Sequence, residues 1–424
     1  MIENQNSLKF ESGLTIKPPT HSFSIPLPLS GLAFGMLVSY LPGIFPTGFG
    51  ASVSFLGWIV PLFASLGYLL QHHHVRFPVM MWLPWTLWVL AYLIFSEAEN
   101  ALQRSVMMLT PLIVGASFSA LRLNAALIEI CHIWMLRFLY VFILAAAVST
   151  GLASGSLYDS TGFAAGSITA SLLACWYAAH YVITNERKSL CIWLVLAAVP
   201  VLAVTRTGMA AVALTLPLTL APWSWTKRLL VVGLLAFGSL AIFQSERIQS
   251  KMFFSGQGSL EDAVVGVMDL LSGTETSVQD FATSGRSSMN NVLIPKLNEA
   301  YWLGHGANTT EAISYEVTGV THPHNDWLRL RYEYGHLGML IFGLTMLAQA
   351  YHGWRCARKL RSDFSIFSYA GSAAFLPMAV FMFSDNVIMY AAWFGNLQFA
   401  MLGLGYAALN MQQRQQRMEN GENH

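Results

Sequence analysis

Charge is the scarcest property of this chain. Only 11% of its 424 residues are charged, where a soluble domain has about a quarter, and 54% are hydrophobic. That deficit excludes a soluble globular domain, in which polar residues recur at every second or fourth position. Short segments of alternating polarity are missing too, which excludes a membrane β-barrel. The cysteines are Cys131, Cys175, Cys191 and Cys356. None falls in the one long polar stretch, so no disulfide-stapled outer domain is expected. A formal net charge of +1 gives no electrostatic footprint for nucleic acid.

In place of charge there are apolar runs of about 15 to 22 residues, the length that crosses a hydrocarbon core as a helix. Runs such as 189–204 and 229–243 are apolar on every face. In lipid the backbone of such a run must satisfy itself, and the helix does so. Spans are expected near 26–45, 51–71, 78–96, 104–120, 125–148 and 164–183, then near 189–205, 208–221, 227–243, 335–354, 365–384 and 388–409. The expected fold is therefore an all-α polytopic membrane protein with about twelve transmembrane helices. The polar stretch 1–25 is too long to lead a cleaved signal peptide, so the first run reads as a signal anchor.

The charges that remain fall unevenly. Lys9, Lys17, Arg76, Arg122, Arg187, Lys188, Lys227 and Arg228 lie on one side of this layout, with Arg355, Arg358, Lys359, Arg361, Arg414 and Arg417. The opposite short loops carry Glu97, Glu99, Asp159 and Asp385. Excess Lys and Arg mark the cytoplasmic side, which puts both termini inside and the stretch 244–334 outside. The layout is then a tail (1–25), spans one to nine (26–243), an outer loop (244–334), spans ten to twelve (335–409) and a second tail (410–424). A loop as long as 244–334 in a compact protein is usually functional.

The outer loop contains Ser284-Gly285-Arg286, then Gly304-His305-Gly306, then His322-Pro323-His324-Asn325-Asp326-Trp327-Leu328, and runs into Gly335-His336-Leu337-Gly338. Pro323 disfavours a helical conformation at His322, so a helix is expected to start near His324. It would carry His324, Leu328 and Arg331 on one face. His322, His324 and Asp326 offer nitrogen and oxygen ligands, but without the spacing of a zinc site. Imidazole titrates near neutrality and can take a proton from a hydroxyl, or His324 can simply anchor a helix end. Arg206 lies between two apolar runs at the outer face. An ionisable residue there is costly and functional by default, with snorkelling as the alternative. Arg137 lies deeper and can snorkel or pair with Asp385. The triplet His72-His73-His74 falls inside and reads as a solvated loop. Guanidinium groups hold phosphate bidentately, so Arg206 and Arg286 beside a histidine would suit group transfer from a lipid diphosphate.

The order of these pieces resembles the bacterial O-antigen ligase and Wzy-type polymerase superfamily. The resemblance rests on an arginine at a turn between two spans, Ser284-Gly285-Arg286 in a long outer loop, and His324-Asn325-Asp326-Trp327-Leu328 some forty residues later. Gly335-His336-Leu337-Gly338 opening the next span completes it. The resemblance implies a bundle of the membrane glycosyltransferase C type with one large, mostly helical periplasmic loop, in the bacterial inner membrane. It implies metal-independent, inverting transfer of a glycan from undecaprenyl diphosphate to an acceptor hydroxyl, with no cofactor. Arg206 and Arg286 would hold the diphosphate and His324 would activate the acceptor. Asn325 and Asp326 would support that histidine, while His322 and Arg331 stand nearby as further candidates. The acceptor is lipid A–core for a ligase and a second lipid-linked glycan for a polymerase; short tails and a single outer loop favour the ligase. A protein O-oligosaccharyltransferase and, in a different class, a transporter or flippase are the alternatives. A transporter usually shows an internal repeat, and none is visible here.

Overall fold

The computed structural model describes residues 25–41, 55–152, 161–203, 205–220, 223–272, 277–278, 280–282, 286–319, 322–360 and 362–420. Helices α1 (Leu27–Ser39), α2 (Leu56–Gln71), α3 (Val79–Phe95), α4 (Ala101–Ser119), α5 (Ala125–Leu152), α6 (Thr161–Thr184) and α7 (Arg187–Leu202) form the first half. Two short pieces follow, α8 (Arg206–Ala213) and α9 (Leu216–Leu220), and then α10 (Trp225–Phe243). The stretch expected outside contains α11 (Glu246–Met252), α12 (Leu260–Ser272), α13 (Arg286–Leu297) and α14 (Thr310–Thr318). After it come α15 (Asp326–Ala357), α16 (Ser362–Ala373), α17 (Phe375–Phe381) and α18 (Gly395–Glu419). Among the described residues there is no strand; an isolated bridge joins Phe253 and Phe281.

The protein is thus all-helical, and among the described residues four stretches are long and apolar enough to cross a membrane: α4, residues 126–145 of α5, α10, and 364–381 across α16 and α17. Helices α1, α2 and α3 are apolar but shorter. Two expected spans are divided, each near a proline. A proline at position i has no N–H for the carbonyl of i−4 and its ring presses on that carbonyl. Pro217 follows Ala213, the last residue of α8, by four; Pro377 follows Ala373, the last residue of α16, by four. The expected spans 208–221 and 365–384 therefore each become two helices. The expected span 388–409 also begins late, at Gly395. Residues 385–394 before it are an irregular, largely buried segment.

Helix packing gathers a single large apolar core from α1 to α7 and α15 to α18. Its tightest seam joins α4 and α18, where a Cβ on Gly403 would stand 2.4 Å from the Gly115 carbonyl oxygen. Small residues at such seams let membrane helices approach closely. Helix α10 stands apart, with 6% of its apolar window buried. The outer stretch has two small cores of its own. Phe243, Ile248, Met252, Phe253, Ala263 and Phe281 form one, and Met289, Leu293, Leu297, Leu328 and Tyr332 form the other.

The feature that sets the outer stretch on the bundle is a break within α15. Gly335 has φ 72° and ψ 176°, far from helical values. Its helix would otherwise pair the carbonyls of Tyr332 and Glu333 with the N–H groups of His336 and Leu337. Instead His336 N donates to Tyr301 O at 3.0 Å and Leu337 N to Trp302 O at 3.3 Å. The released carbonyls accept in turn: Tyr332 O from His305 N at 2.9 Å, and Glu333 O from Gly306 N at 3.0 Å. Trp88 Nε1 donates to Tyr334 O at 3.2 Å. Residues 301–306 are a strap inserted into the helix, and the exchange gives each of these four backbone groups a partner. The approach demands glycine, because a Cβ on Gly335 would fall 2.1 Å from Trp302 O and one on Gly304 would fall 2.4 Å from Gly335 N. The two Gly-His motifs of the sequence are the two sides of this junction.

Candidate active site

The outer half of α15 begins at Asp326, two residues later than expected. Asn325 is its cap: the backbone there is extended and Oδ1 accepts from Leu328 N at 2.9 Å, a contact worth about 1 kcal/mol. His324 therefore stands outside the helix, with φ 48°, a left-handed conformation that histidine tolerates better than most residues. The expected shared face of His324, Leu328 and Arg331 does not form. Leu328 is buried against α13, and Arg331 Nε donates to His336 Nε2 at 3.1 Å.

Freed from the helix, His324 meets the irregular segment before α18. Its Nδ1 lies 3.6 Å from Asp385 Oδ1 and 3.3 Å from Asn386 Nδ2. The imidazole is 45% exposed, so it is both oriented and open. Asp326 faces the same segment from below, where its Oδ2 accepts from Ile388 N at 2.8 Å. Burial pushes the Asp326 carboxyl up to about 7, and the Arg329 guanidinium offsets part of that rise. Asp326 holds the backbone beside His324, whereas the carboxylate next to the imidazole is Asp385.

Arg206 opens α8 after the extended Thr205. Its guanidinium sits 5.3 Å from the Phe281 ring centroid, and Nη2 donates to Ala282 O at 3.1 Å. The next residue, Thr207, shares a hydrogen bond with Ser384, the neighbour of Asp385. One short path thus joins Arg206 to His324 through Thr207, Ser384 and Asp385. Arg286 opens α13, four residues beyond Ala282 in sequence; its side chain lies outside the described residues. His322 is half-buried. Burial first, then the Arg104 and Arg329 cations, push its imidazole down to about 4, so it is neutral at pH 7.

Beneath the exposed histidine runs a chain of buried charge that the sequence reading did not single out. Arg329 Nε donates to Glu333 Oε1 at 3.0 Å, and Arg329 Nη2 to Asn308 Oδ1 at 3.3 Å. Thr310 donates its hydroxyl to Glu333. Asn308 Nδ2 donates to Glu311 Oε2 at 2.6 Å, and Glu311 Oε1 lies 3.5 Å from Arg104 Nη2. This network locks α15 to α14 and to the start of α4. The i, i+4 spacing of Arg329 and Glu333 was visible in the sequence, but their burial was not. Asp385 was visible as an outer-side carboxylate, though nothing local pointed it at His324.

Arg206 is also the one charged residue lining an apolar groove of about 560 Å³ among the described residues. Met209, Leu216, Leu234, Phe243, Met252 and Val267 contribute to its walls. The molecule is a helical membrane protein in which a guanidinium lines an apolar groove and an imidazole–carboxylate pair is linked to it through Thr207 and Ser384. Residues 190–343 match the family model described as O-antigen ligase (Wzy_C), somewhat over a third of the chain. The match covers the segment holding Arg206, Arg286 and His324 and bears out the resemblance read from the motifs. No curated protein matches the chain.

Proposed function

We propose that the protein is an O-antigen ligase: it moves a glycan from undecaprenyl diphosphate to a hydroxyl of lipid A–core at the periplasmic face of the inner membrane. The observation that carries this reading is the linked placement of Arg206 and His324 beside the apolar groove, within the segment that matches the ligase family. The groove takes the first isoprene units of the donor and leaves its diphosphate at Arg206. Arg286 completes the clamp from the start of α13. With Nδ1 carrying the proton towards the Asp385 carboxylate, Nε2 of His324 is the lone-pair nitrogen turned to the acceptor. In the reaction the acceptor oxygen forms a bond to the anomeric carbon as the bond from that carbon to the diphosphate oxygen breaks. The hydroxyl proton passes to His324, and the negative charge that grows on the diphosphate is met by guanidinium groups. A single displacement inverts the anomeric centre. A base of this kind contributes about 10²- to 10⁴-fold. Twelve spans with both termini inside complete the reading.

The test uses purified protein in nanodiscs with an undecaprenyl-diphosphate-linked oligosaccharide, with and without lipid A–core. Glycan appearing on lipid A–core alone supports the ligase. A ladder of longer lipid-linked glycans without added acceptor replaces it with a polymerase, and no product with either acceptor overturns the transfer reading.

A further inference from the structure

The face opposite the candidate active site carries a second built cavity. Three segments that the charge pattern places inside, 71–74, 119–124 and 407–418, meet there around a cleft of about 790 Å³. Its rim holds His72, His73, His74, Arg122 and Arg414, and no carboxylate lines it among the described residues. None of the five forms an ion pair with another described residue. Below the rim the lining turns apolar, with Leu121, Phe364 and Met411.

The cleft is held in shape by contacts that use neither of its guanidinium groups, Arg122 and Arg414. Ser119 Oγ accepts from Arg76 N at 3.1 Å and from Phe77 N at 2.9 Å, which fixes the turn after the histidines to the end of α4. Tyr68 stacks on His72 with ring centroids 4.0 Å apart. Gln412 Nε2 donates to Lys359 O at 3.1 Å, anchoring the outgoing part of α18. A cationic rim over an apolar floor, placed where helices leave the membrane, has the chemistry of an anionic amphiphile. Basic pockets between membrane helices on the cytoplasmic side take acidic phospholipid headgroups. Free phosphate would use the rim and leave the floor bare.

We propose that this cleft binds the phosphate headgroup of an anionic phospholipid of the inner leaflet, with an acyl chain laid over Leu121, Phe364 and Met411. Arg122 and Arg414 make the phosphate contacts, since a guanidinium stays charged at every physiological pH, and the histidine triplet closes the rim. The site is independent of the transfer reaction on the other face.

The experiment is native mass spectrometry and thermal unfolding of the full chain in nanodiscs of phosphatidylcholine alone or with a minority of phosphatidylglycerol. The wild type is expected to retain phosphatidylglycerol and to melt higher in its presence. At roughly fivefold in affinity for each basic group, the R122A/R414A pair should weaken retention by about twenty-fivefold. The R187A/K188A pair, basic residues of the same side outside the cleft, keeps the retention and controls for surface charge. Both pairs lie at the surface, and an unchanged melting temperature in phosphatidylcholine shows that they fold. Equal retention in the wild type and in R122A/R414A overturns the proposal. So does inorganic phosphate raising the melting temperature in phosphatidylcholine as much as phosphatidylglycerol does, because the ligand is then a free anion.

Discussion

Within ten residues the start of α15 shows two opposite uses of charge. Arg329 and Glu333 are 3% and 0% exposed and bind each other, Asn308 and Thr310. His324, just outside the helix cap, is 45% exposed and has a carboxylate 3.6 Å from one nitrogen. The buried pair has its partners inside the protein, so its Coulomb energy goes into holding the outer stretch on the bundle. The histidine is held on one side and open on the other, the condition for meeting a substrate. A buried pair contributes chiefly through the penalty of breaking it, whereas an oriented, open imidazole contributes to a reaction.

The comparison yields an ordered set of expectations. The largest effect is expected from His324→Ala: transfer falls by about 10²- to 10⁴-fold, read as product formed per minute, with the melting temperature unchanged. Arg329→Ala does the reverse. It strands Glu333 in an apolar setting and removes about 3–5 kcal/mol of stability, read by thermal unfolding in detergent. If the two variants lose stability equally, the contrast collapses and His324 is structural. Arg206→Ala comes next. Loss of a charged hydrogen-bonding partner of a phosphate is worth about 1.5–3 kcal/mol. The variant should therefore need about ten- to a hundredfold more lipid-linked donor for half-maximal rate, and an unchanged donor dependence removes Arg206 from the clamp.

The smallest effect concerns pH. Asp326 has its carboxyl raised to about 7 in the folded protein, first by burial, against an ordinary value near 3.9. The folded state then binds more protons than the unfolded chain between about pH 4 and 7, so this group's contribution is fully present below pH 4 and is lost as pH rises through 7. Asp326→Asn keeps an oxygen for Ile388 N and cannot ionise. The variant should melt higher than the wild type at pH 8, with the gap closing by pH 4. A pH-independent gap would mean that Asp326 is already ionised when folded.

The sequence shows the helices of the bundle plainly, because apolar runs in lipid have few other solutions. It also shows the motif residues: Arg206 between two spans, and Arg286 and His324 in the outer loop. What it does not show depends on distance along the chain. His324 and Asp385 are sixty-one positions apart, and only the packing of α17 and α18 brings them together. The burial of Arg329 and Glu333 depends on α14 arriving over them. The divisions at Pro217 and Pro377 were not legible, because Pro61, Pro84, Pro111 and Pro200 stand inside helices that continue past them. The hydropathy of the whole run outweighed a single breaker. The Gly-His motifs invited a chemical reading, and their glycines turn out to serve the junction of strap and helix.

That junction carries a consequence for assembly. A chain emerging from its N-terminus exposes residues 301–306 before α15 exists. When α15 follows, its break at Gly335 can close at once on donors and acceptors that are already waiting. In the opposite order a helix would be left with two unclaimed carbonyls at the membrane surface. The outer stretch is therefore built like a latch set before its bolt. An insertion within the strap or at Gly335 would separate the candidate active site from the bundle beneath it.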